Sequence, residues 1–382
     1  MSAFPRILQV GKYYAPHKGG IETHLQLLCE QLRGHADVRV VVASGTRSSS
    51  EETVGGVPVK RLATWLNLAS APLCPAMVRE IRDSQADIVH LHLPNPSAVM
   101  AYLASGHTGT LICSYHSDTV RQKILGPAFE PILMQVLRRS AAVIAASPNY
   151  IESSRVLRAV RDRCQVIPYG IPVAQFDRVD SQQVDAIQRQ YGPNLLVTVG
   201  RFVYYKGFEY LIRAMEKIDG RLLLVGDGPL RPVFEKEIRA RGLENRVTLL
   251  GQVEHILPFY QAAEIFILPS IARSEAFGIV QLEAMACGKP VVNTQLDSGV
   301  NFVSLDGVTG ITVAPQEPAA LATAINALLG NADLRARYGA AARSRVQQLF
   351  TLETMTQKML ELYDQVCPSF SRTAALALRG PR

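Results

Sequence analysis

Short apolar runs alternate along this chain with longer segments of helical periodicity, and no other feature limits the possible folds as strongly. The runs are apolar almost throughout, which is typical of parallel strands covered on both faces. They lie at 6–10, 38–43, 87–91, 110–114, 141–146 and 165–168 in the first half, and at 195–199, 221–225, 246–250, 265–268 and 290–292 in the second. The sequence therefore predicts the α/β class, with two doubly wound halves that each contain a parallel sheet.

The segment 171–193 interrupts this alternation with prolines, a glycine and many polar residues, and we interpret it as the connection between two domains. A length of 382 residues, 48% of them hydrophobic, allows each domain its own core. We predict an N-terminal domain at 1–172 and a C-terminal domain at 173–350. A helix at 351–367 is expected to cross back to the N-terminal domain, and a flexible tail is expected at 368–382.

The composition limits the partners of the chain. Lys and Arg (40) outnumber Asp and Glu (33), and the net charge of +7 suits an anionic partner such as a nucleotide, a phosphate or a membrane surface. Nucleic acid is not expected, because no zinc spacing, basic helix or RNA-binding aromatic signature is present. The six cysteines form no CxxC pair and are expected to be buried thiols of a reducing compartment. Without a signal-peptide pattern or a membrane-spanning run, we expect a cytoplasmic protein, at most peripheral on the inner membrane.

In open parallel sheets, ligands bind beyond the carboxyl ends of the strands, so the turns there are the places to look for chemistry. The turn after the first predicted strand ends in Gly19-Gly20, just before a helix. Paired glycines allow the backbone to approach a phosphate or a sugar, and the helix N-terminus offers free N–H groups. A simple tight turn is the alternative.

In the second half, one strand runs into Gly200-Arg201, and Lys206 follows before the next helix. Two cations at one strand end can neutralise a diphosphate leaving group through charge-assisted hydrogen bonds. A solvated basic loop is the alternative. Gly226 follows the next strand, where we expect a mainly architectural role at the border of a nucleotide site.

Two glutamates follow the strand at 265–268. If a helix begins near Phe277, then Glu275 lies in the preceding loop and Glu283 lies about two turns along the helix. One carboxylate can hold hydroxyls of a transferred sugar, and the other those of a ribose. The alternative is a capping acid and a surface acid, but the apolar neighbours of Glu283 indicate that its carboxylate has a partner.

Together, the two glutamates, the Arg201 and Lys206 loop and the Gly19-Gly20 turn resemble the retaining GT-B glycosyltransferases of family 4. The resemblance covers nearly the whole chain, in the same order and spacing. It implies two Rossmann-like domains that face each other across a cleft, with the donor bound mainly by the C-terminal half and the acceptor mainly by the N-terminal half. It also implies transfer with retention at the anomeric carbon, with no metal and no cofactor besides the nucleotide-sugar substrate.

The resemblance implies roles for individual residues. In the second half it implies that Arg201 and Lys206 bind the donor diphosphate and that Glu283 binds the ribose. The sugar would be bound by Glu275 and by the nearby backbone of Phe277, Gly278 and Ile279. In the first half, His116 at a strand end matches the histidine that these enzymes place near the reacting sugar. We expect it to form a hydrogen bond with the sugar and not to carry a proton. A lone core histidine is the alternative.

One segment departs from the family pattern. Many members have a glycine-rich turn followed by a glutamate after the strand at 290–292, whereas this chain has Ser298-Gly299-Val300 in a different context. The chain is most similar to bacterial members that assemble polysaccharides, many of which use GDP-mannose. The expected function is therefore transfer of a hexose, mannose first, to a glycan or polyprenyl-diphosphate-linked acceptor in cell-surface polysaccharide or lipopolysaccharide assembly.

Two alternatives to this function remain open. The acceptor could be a small soluble phosphosugar, or the chain could be an inactive scaffold that binds sugar nucleotides. A nicotinamide dehydrogenase is disfavoured because no GxGxxG motif with a suitably placed acid occurs. The basic, apolar segment 120–139 could rest on an anionic membrane near a lipid-linked acceptor, or it could be a core helix, with Pro127 and Pro131 expected to interrupt it.

Overall fold

A computed structural model describes residues 4–17, 19–68, 71–118, 125–367 and 370. The chain forms two compact units. Unit 1 comprises Met1–Gly170 together with Leu352–Arg382, and unit 2 comprises Ile171–Thr351. The prediction of two doubly wound α/β halves is confirmed, because each unit contains a mostly parallel sheet with helices between its strands.

The strands of unit 1 are β1 (Arg6–Val10), β2 (Asp37–Ala43), β3 (Ser50–Val54), β4 (Val57–Leu62), β5 (Leu66–Leu68), β6 (Ala71–Leu73), β7 (Ile88–Leu93), β8 (Thr110–Tyr115), β9 (Ala142–Ala145) and β10 (Cys164–Val166). Its helices are α1 (Gly20–Leu32), α2 (Ala76–Asp83), α3 (Pro96–Ser105), α4 (Leu125–Arg139), α5 (Pro148–Ser153), α6 (Arg155–Arg158) and α15 (Leu352–Val366), with a 3-10 turn at Arg161–Arg163. Within the described residues of this unit, none of these helices is both long and apolar enough to cross a membrane.

The strands of unit 2 are β11 (Leu195–Val199), β12 (Arg221–Val225), β13 (Val247–Gly251), β14 (Ile265–Leu268), β15 (Val291–Thr294) and β16 (Gly310–Val313). Its helices are α7 (Ser181–Tyr191), α8 (Phe208–Ala214), α9 (Arg231–Ala240), α10 (Leu257–Ala262), α11 (Ile279–Ala286), α12 (Val300–Val303), α13 (Pro318–Leu329) and α14 (Ala332–Leu349). Shorter 3-10 turns lie at Val173–Asp177, Tyr204–Lys206 and Met215–Lys217.

Both sheets reverse their strand order once. In unit 1 the order is β10-β9-β8-β7-β1-β2-β4-β3, and in unit 2 it is β13-β12-β11-β14-β15-β16. The reversal lies between β1 and β7 in the first sheet and between β11 and β14 in the second. At such a point the loops leave neighbouring strands toward opposite faces, which opens a crevice at the carboxyl edge of the sheet.

The sequence predicted a parallel sheet in unit 1, but one pair of strands in that sheet is antiparallel. Strands β3 and β4 form an antiparallel hairpin at its edge. The hairpin turns at Gly55 and Gly56, which have φ of 58° and 79°. Positive φ at both central residues is the conformation that a two-residue hairpin turn needs, so this glycine pair was a usable signal.

Other elements also differ from expectation. The predicted connection 171–193 contains helix α7, which packs on α10 within unit 2. Helix α4 continues through Pro131 where an interruption was expected, while residues 120–124 of that segment lie outside the described residues. The predicted tail lies mostly outside them too, but Phe370 is buried against the ring of Tyr363.

Helix α15 completes the core of unit 1. Its buried side chains, among them Met355, Met359 and Leu362, belong to one apolar cluster with residues of α1 and the sheet. Met359 is fully buried. The cluster therefore joins the two segments of the chain that make up this unit.

We predict that Met359→Ala destabilises unit 1 by about 2–5 kcal/mol, because it removes buried apolar surface and leaves a cavity. Gln365→Ala, an exposed change on the same helix, should be nearly neutral. Hydrogen exchange read by mass spectrometry, which reports on each unit separately, measures both effects. Equal protection of unit 1 in the two variants would contradict the proposed packing role.

Candidate active site

An ion pair is buried at the switch point of the unit 2 sheet. Lys206 ends the 3-10 turn after β11, and Glu275 lies in the loop after β14. The Lys206 Nζ atom lies 2.6 Å from Oε2 of Glu275, and the two side chains are only 9% and 10% exposed. The Ser270 hydroxyl donates to the same carboxylate oxygen at 2.9 Å. The structure thus brings together two of the residues that the sequence predicted to share a site.

Lys206 keeps its charge although it is buried. Burial disfavours the ammonium of Lys206, but the attraction of the Glu275 carboxylate and of Tyr205 outweighs it and raises the lysine pKa above 10.5. The Nζ atom also lies 5.8 Å from the centre of the Tyr205 ring. Removing one partner of such a pair would leave an uncompensated buried charge.

The backbone around the pair has no spare room. Gly207 adopts a left-handed conformation with φ of 63° and is the N-cap residue of helix α8. A Cβ on Gly200 would lie 3.0 Å from Cε of Lys206. The N–H of Ile271 donates to the carbonyl of Tyr205 at 2.8 Å and joins the two loops. Gly226 lacks room for a Cβ because the carbonyl oxygen of Gly200 lies against it, which agrees with an architectural role.

Arg201 differs from Lys206 in its surroundings. Its side chain is exposed and forms no ion pair or hydrogen bond with any described residue. Together with Lys206 and Glu275, its charge acts on the half-buried Tyr205, so these groups share one electrostatic environment. The loop after β11 therefore offers one uncompensated cation next to a cation that is already neutralised.

Glu283 lies on α11 and is held differently from Glu275. The Tyr260 hydroxyl donates to its Oε2 at 2.7 Å, which supplies the partner that its apolar neighbours require. Burial raises the pKa of Glu283, and the bond from Tyr260 partly opposes this. Among the described residues, no hydrogen bond or ion pair joins Glu283 to Glu275, so the two predicted carboxylates occupy separate environments.

Helix α11 begins at Ile279, two residues later than expected, after Gly278 with φ of 75°. Sequence reasoning missed Gln281 on this helix. Its amide donates to the carbonyls of Phe277 at 2.9 Å and Val300 at 3.1 Å, and its side chain is fully buried. The only signal was a polar side chain in an apolar helical run. Gln281 ties the loop before α11 to the turn that departs from the family pattern.

The glycine turn of unit 1 precedes α1 as predicted. Gly20 is the first residue of that helix, and the carbonyl of Gly19 accepts from the N–H of Thr23 at 2.9 Å. The carboxylate of Glu22 lies against Gly19. Burial lowers the pKa of Lys12 in the same turn, and the charge of Glu22 partly opposes this.

His116 lies just after β8 in a group of buried polar residues. Its Nδ1 is 2.6 Å from the hydroxyl of Tyr169, and its Nε2 is 2.9 Å from Nδ1 of His92. The two imidazoles stack, with centroids 5.2 Å apart and planes 10° apart. Burial, with the nearby His24 and His90, holds the pKa of His116 well below 6.5. Both ring nitrogens are therefore occupied by protein partners, and a sugar must replace one of them to bind here.

The same region contains a group that could hold a metal ion. One nitrogen from each of His24, His92 and His116 lies within 4.8 Å of the others, and no second group of this kind was found in the described residues. Nδ1 of His24 has no hydrogen-bond partner there. However, Nδ1 of His92 and Nε2 of His116 already share a hydrogen bond, so a cation bound by those two nitrogens would have to replace it.

The buried histidines predict an acid-sensitive unit 1. Burial lowers the pKa of His24 to about 4 and that of His90 to about 3, and those of His92 and His116 fall well below 6.5. Below pH 6.5 the unfolded chain therefore binds protons that the folded chain does not. Stability should fall as the pH decreases, by about 2 kcal/mol for each such histidine at pH 5.

Hydrogen exchange at pH 7 and pH 5, corrected for intrinsic rates, measures this difference unit by unit. Unit 2, which contains only His255, serves as the internal control. Equal loss of protection in both units would contradict the assignment of the acid sensitivity to the buried histidines.

Comparison with known proteins agrees with this geometry. A model described as Glycosyltransferase Family 4 matches residues 18–175, and one described as Glycosyl transferases group 1 matches residues 180–345. The chain is 32% identical over 352 residues to the D-rhamnosyltransferase WbpZ of Pseudomonas aeruginosa, covering 91% of this chain and 92% of that protein.

A second relative and a solved structure extend the match. The chain is 32% identical over 378 residues to the O-antigen chain mannosyltransferase C of Escherichia coli, covering 96% of this chain and 100% of that protein. The structure of sucrose-phosphate synthase from Thermosynechococcus elongatus superposes with a TM-score of 0.82 at 25% identity, over 96% of this chain and 100% of that one.

Proposed function

The chain belongs to the family 4 glycosyltransferases, and from this premise we propose that it is a retaining hexosyltransferase of cell-surface polysaccharide assembly. Its donor is a nucleotide diphosphate sugar, with GDP-mannose as the first candidate, and its acceptor is a glycan or a polyprenyl-diphosphate-linked sugar. The names of the two relatives, a rhamnosyltransferase and an O-antigen chain mannosyltransferase, support this choice.

The buried Lys206–Glu275 pair beside the exposed Arg201 is the observation that carries the proposal. Negative charge develops on the nucleoside diphosphate as its bond to the sugar breaks. Fixed cations at that place stabilise the transition state more than the bound donor, and they do so without reorganisation. In this proposal Arg201 and Lys206 bind the diphosphate, while Glu275 turns one carboxylate oxygen to a sugar hydroxyl.

The other predicted residues complete the donor site. Backbone of Phe277, Gly278 and Ile279 lies near the sugar, and the closely packed backbone of Gly200 and Gly226 borders the nucleotide. Glu283 holds the ribose through the oxygen that Tyr260 does not occupy. In unit 1, Gly19 and Gly20 approach the donor, and His116 forms a hydrogen bond with the transferred sugar.

Arg201→Ala is the cleanest test of the site, because the exposed guanidinium has no partner among the described residues. We expect about a 100-fold to 1,000-fold loss of transfer with an unchanged melting temperature. Lys236→Ala, which removes an exposed cation elsewhere on unit 2, should retain wild-type activity. Initial rates with GDP-mannose and an acceptor glycan measure the difference.

Lys206→Ala and Glu275→Ala should nearly abolish transfer as well, but each leaves a buried partner charge and should also lower the melting temperature. A thermal-shift panel of GDP and UDP identifies the base, since a ligand at 100 times its dissociation constant stabilises by about 2.7 kcal/mol. Wild-type turnover in Arg201→Ala would overturn the diphosphate assignment. Nucleotide binding without any transfer would favour the inactive scaffold.

We also propose that the reaction needs no metal. Transfer should persist after dialysis against EDTA, because the cations of unit 2 carry the charge that a metal neutralises in other transferases. Loss of activity in EDTA with recovery on adding Zn²⁺ would contradict a metal-free reaction and would make His24, His92 and His116 the candidate ligands.

The acceptor is proposed to be attached to a lipid, and the exposed Arg138 and Arg139 at the end of α4 suit contact with an anionic membrane surface. Full activity on a soluble phosphosugar, by protein released from membranes, would favour the alternative of a small acceptor.

A further inference from the structure

One face of the unit 1 sheet carries a continuous group of buried polar side chains. Gln9 on β1 lies opposite His90 on β7, and His92 lies opposite Ser114 on β8. His116 is two residues beyond Ser114, so it continues the same face. All five side chains are at most 4% exposed. Such a group is tolerable in a core only if its hydrogen bonds are satisfied.

The bonds from Gln9 to His116 fix the position of each hydrogen. The carbonyl Oε1 of Gln9 can only accept, and it lies 2.8 Å from Nε2 of His92, which must therefore donate. A neutral imidazole carries one N–H, so Nδ1 of His92 accepts, and its partner at 2.9 Å, Nε2 of His116, donates. Nδ1 of His116 is then left to accept from the Tyr169 hydroxyl at 2.6 Å.

The bonds on the other side of Gln9 follow the same order. Its amide Nε2 donates to the hydroxyl oxygen of Tyr363 on α15 at 3.1 Å. Among the described contacts, Nδ1 of His90 at 2.7 Å is the acceptor that remains for the hydrogen of that hydroxyl. Nε2 of His90 then donates to Ser114 at 2.8 Å. Each hydrogen is used once and every imidazole is neutral. A reversal of the bond between His92 and His116 therefore requires a rotation of the Gln9 amide. That rotation would turn Oε1 of Gln9 to the Tyr363 hydroxyl and so reverse the bonds of His90 as well.

We propose that Gln9 and His92 are positioning residues that hold His116 as its Nε2–H tautomer, with Nδ1 kept as a hydrogen-bond acceptor. For its catalytic meaning this inference rests on the proposed function. A sugar hydroxyl can replace the Tyr169 hydroxyl as donor to Nδ1 without disturbing any other bond in the group. For His116 to donate a hydrogen from Nδ1, the whole order would have to reverse. His116 therefore accepts a hydrogen bond from the substrate.

Long-range ¹H–¹⁵N correlation spectra of the full chain labelled with ¹⁵N-histidine distinguish the two tautomers. In the ligand-free protein at pH 7.5, the rings of His92 and His116 should both show the Nε2–H pattern. His92→Asn, His92→Leu and His116→Asn assign the signals by their loss. An Nδ1–H pattern for His116 in the wild type would overturn the proposal, whatever the enzymatic activity is.

Matched variants test which partner sets the tautomer. His92→Asn keeps an acceptor oxygen for Nε2–H of His116, so His116 should retain the Nε2–H pattern. His92→Leu removes that acceptor and should give a substantial Nδ1–H population. Tyr169→Phe removes the donor at Nδ1 and leaves the acceptor at Nε2, so His116 should keep the Nε2–H pattern. A shift to Nδ1–H in Tyr169→Phe, or none in His92→Leu, would contradict the role of His92.

The rate of sugar transfer should fall in variants in which His116 loses the Nε2–H tautomer. We expect about a tenfold lower rate in His92→Leu, comparable to the loss of one hydrogen bond, and recovery of most of the rate in His92→Asn. If the spectra agree with the proposed order but His92→Leu transfers sugar at the wild-type rate, then the role of His116 in the proposed function fails while the hydrogen-bond order stands.

Discussion

All strands of a parallel sheet end at the same edge, and this constraint decides where the chemistry of the chain can lie. In unit 2 the loops after β11 and β14 leave neighbouring strands at the reversal of strand order, and this brings Lys206 to Glu275 from positions 69 residues apart. In unit 1 the corresponding reversal places β1 beside β7, so that Gln9 reaches His92. Each unit thus collects its functional candidates by the same topological rule.

The two units offset the desolvation free energy of their buried polar groups in different ways. Unit 2 places the charged ammonium of Lys206 against the carboxylate of Glu275, and this attraction raises the pKa of the lysine. Unit 1 buries four histidines and keeps them neutral, with one hydrogen for each contact between partners. The neutral histidines fix the direction of hydrogen bonds, whereas the ion pair produces an electric field in its surroundings.

The sequence predicted most of the fold, because the strands buried on both faces have a strong apolar signal. The bounds of β1, β11, β12 and β14 agree with the predicted runs, and the family and its GT-B fold class are confirmed. Strand β16 was missed because its sequence, Gly-Ile-Thr-Val, is too short and mixed to stand out. The hairpin β3–β4 was missed because its edge position leaves β3 polar.

The candidate site was predicted unevenly. Lys206 and Glu275 stand at strand ends, where position alone suggests a role. Gln9, His92 and Tyr363 do not, because the contacts among them join β1, β7 and α15, separated by tens to hundreds of residues. The alternation His90-Leu91-His92 on a buried strand was a usable hint, since both imidazoles had to lie on one face. The register that pairs them with Gln9 is a property of the folded sheet.

Helix α15, the C-terminal part of unit 1, is synthesised after all of unit 2. Unit 2 is a continuous segment inserted before α15, so a ribosome releases all of unit 2 before Tyr363 emerges. Until then the nascent first unit lacks part of its apolar core and the hydroxyl that joins Gln9 to His90. Unit 2 can fold as soon as it leaves the ribosome, whereas unit 1 has an incomplete core until α15 is synthesised. Chaperones bind incompletely folded chains of this kind. Maturation of the histidine group is thereby coupled to translation of the C-terminal helix.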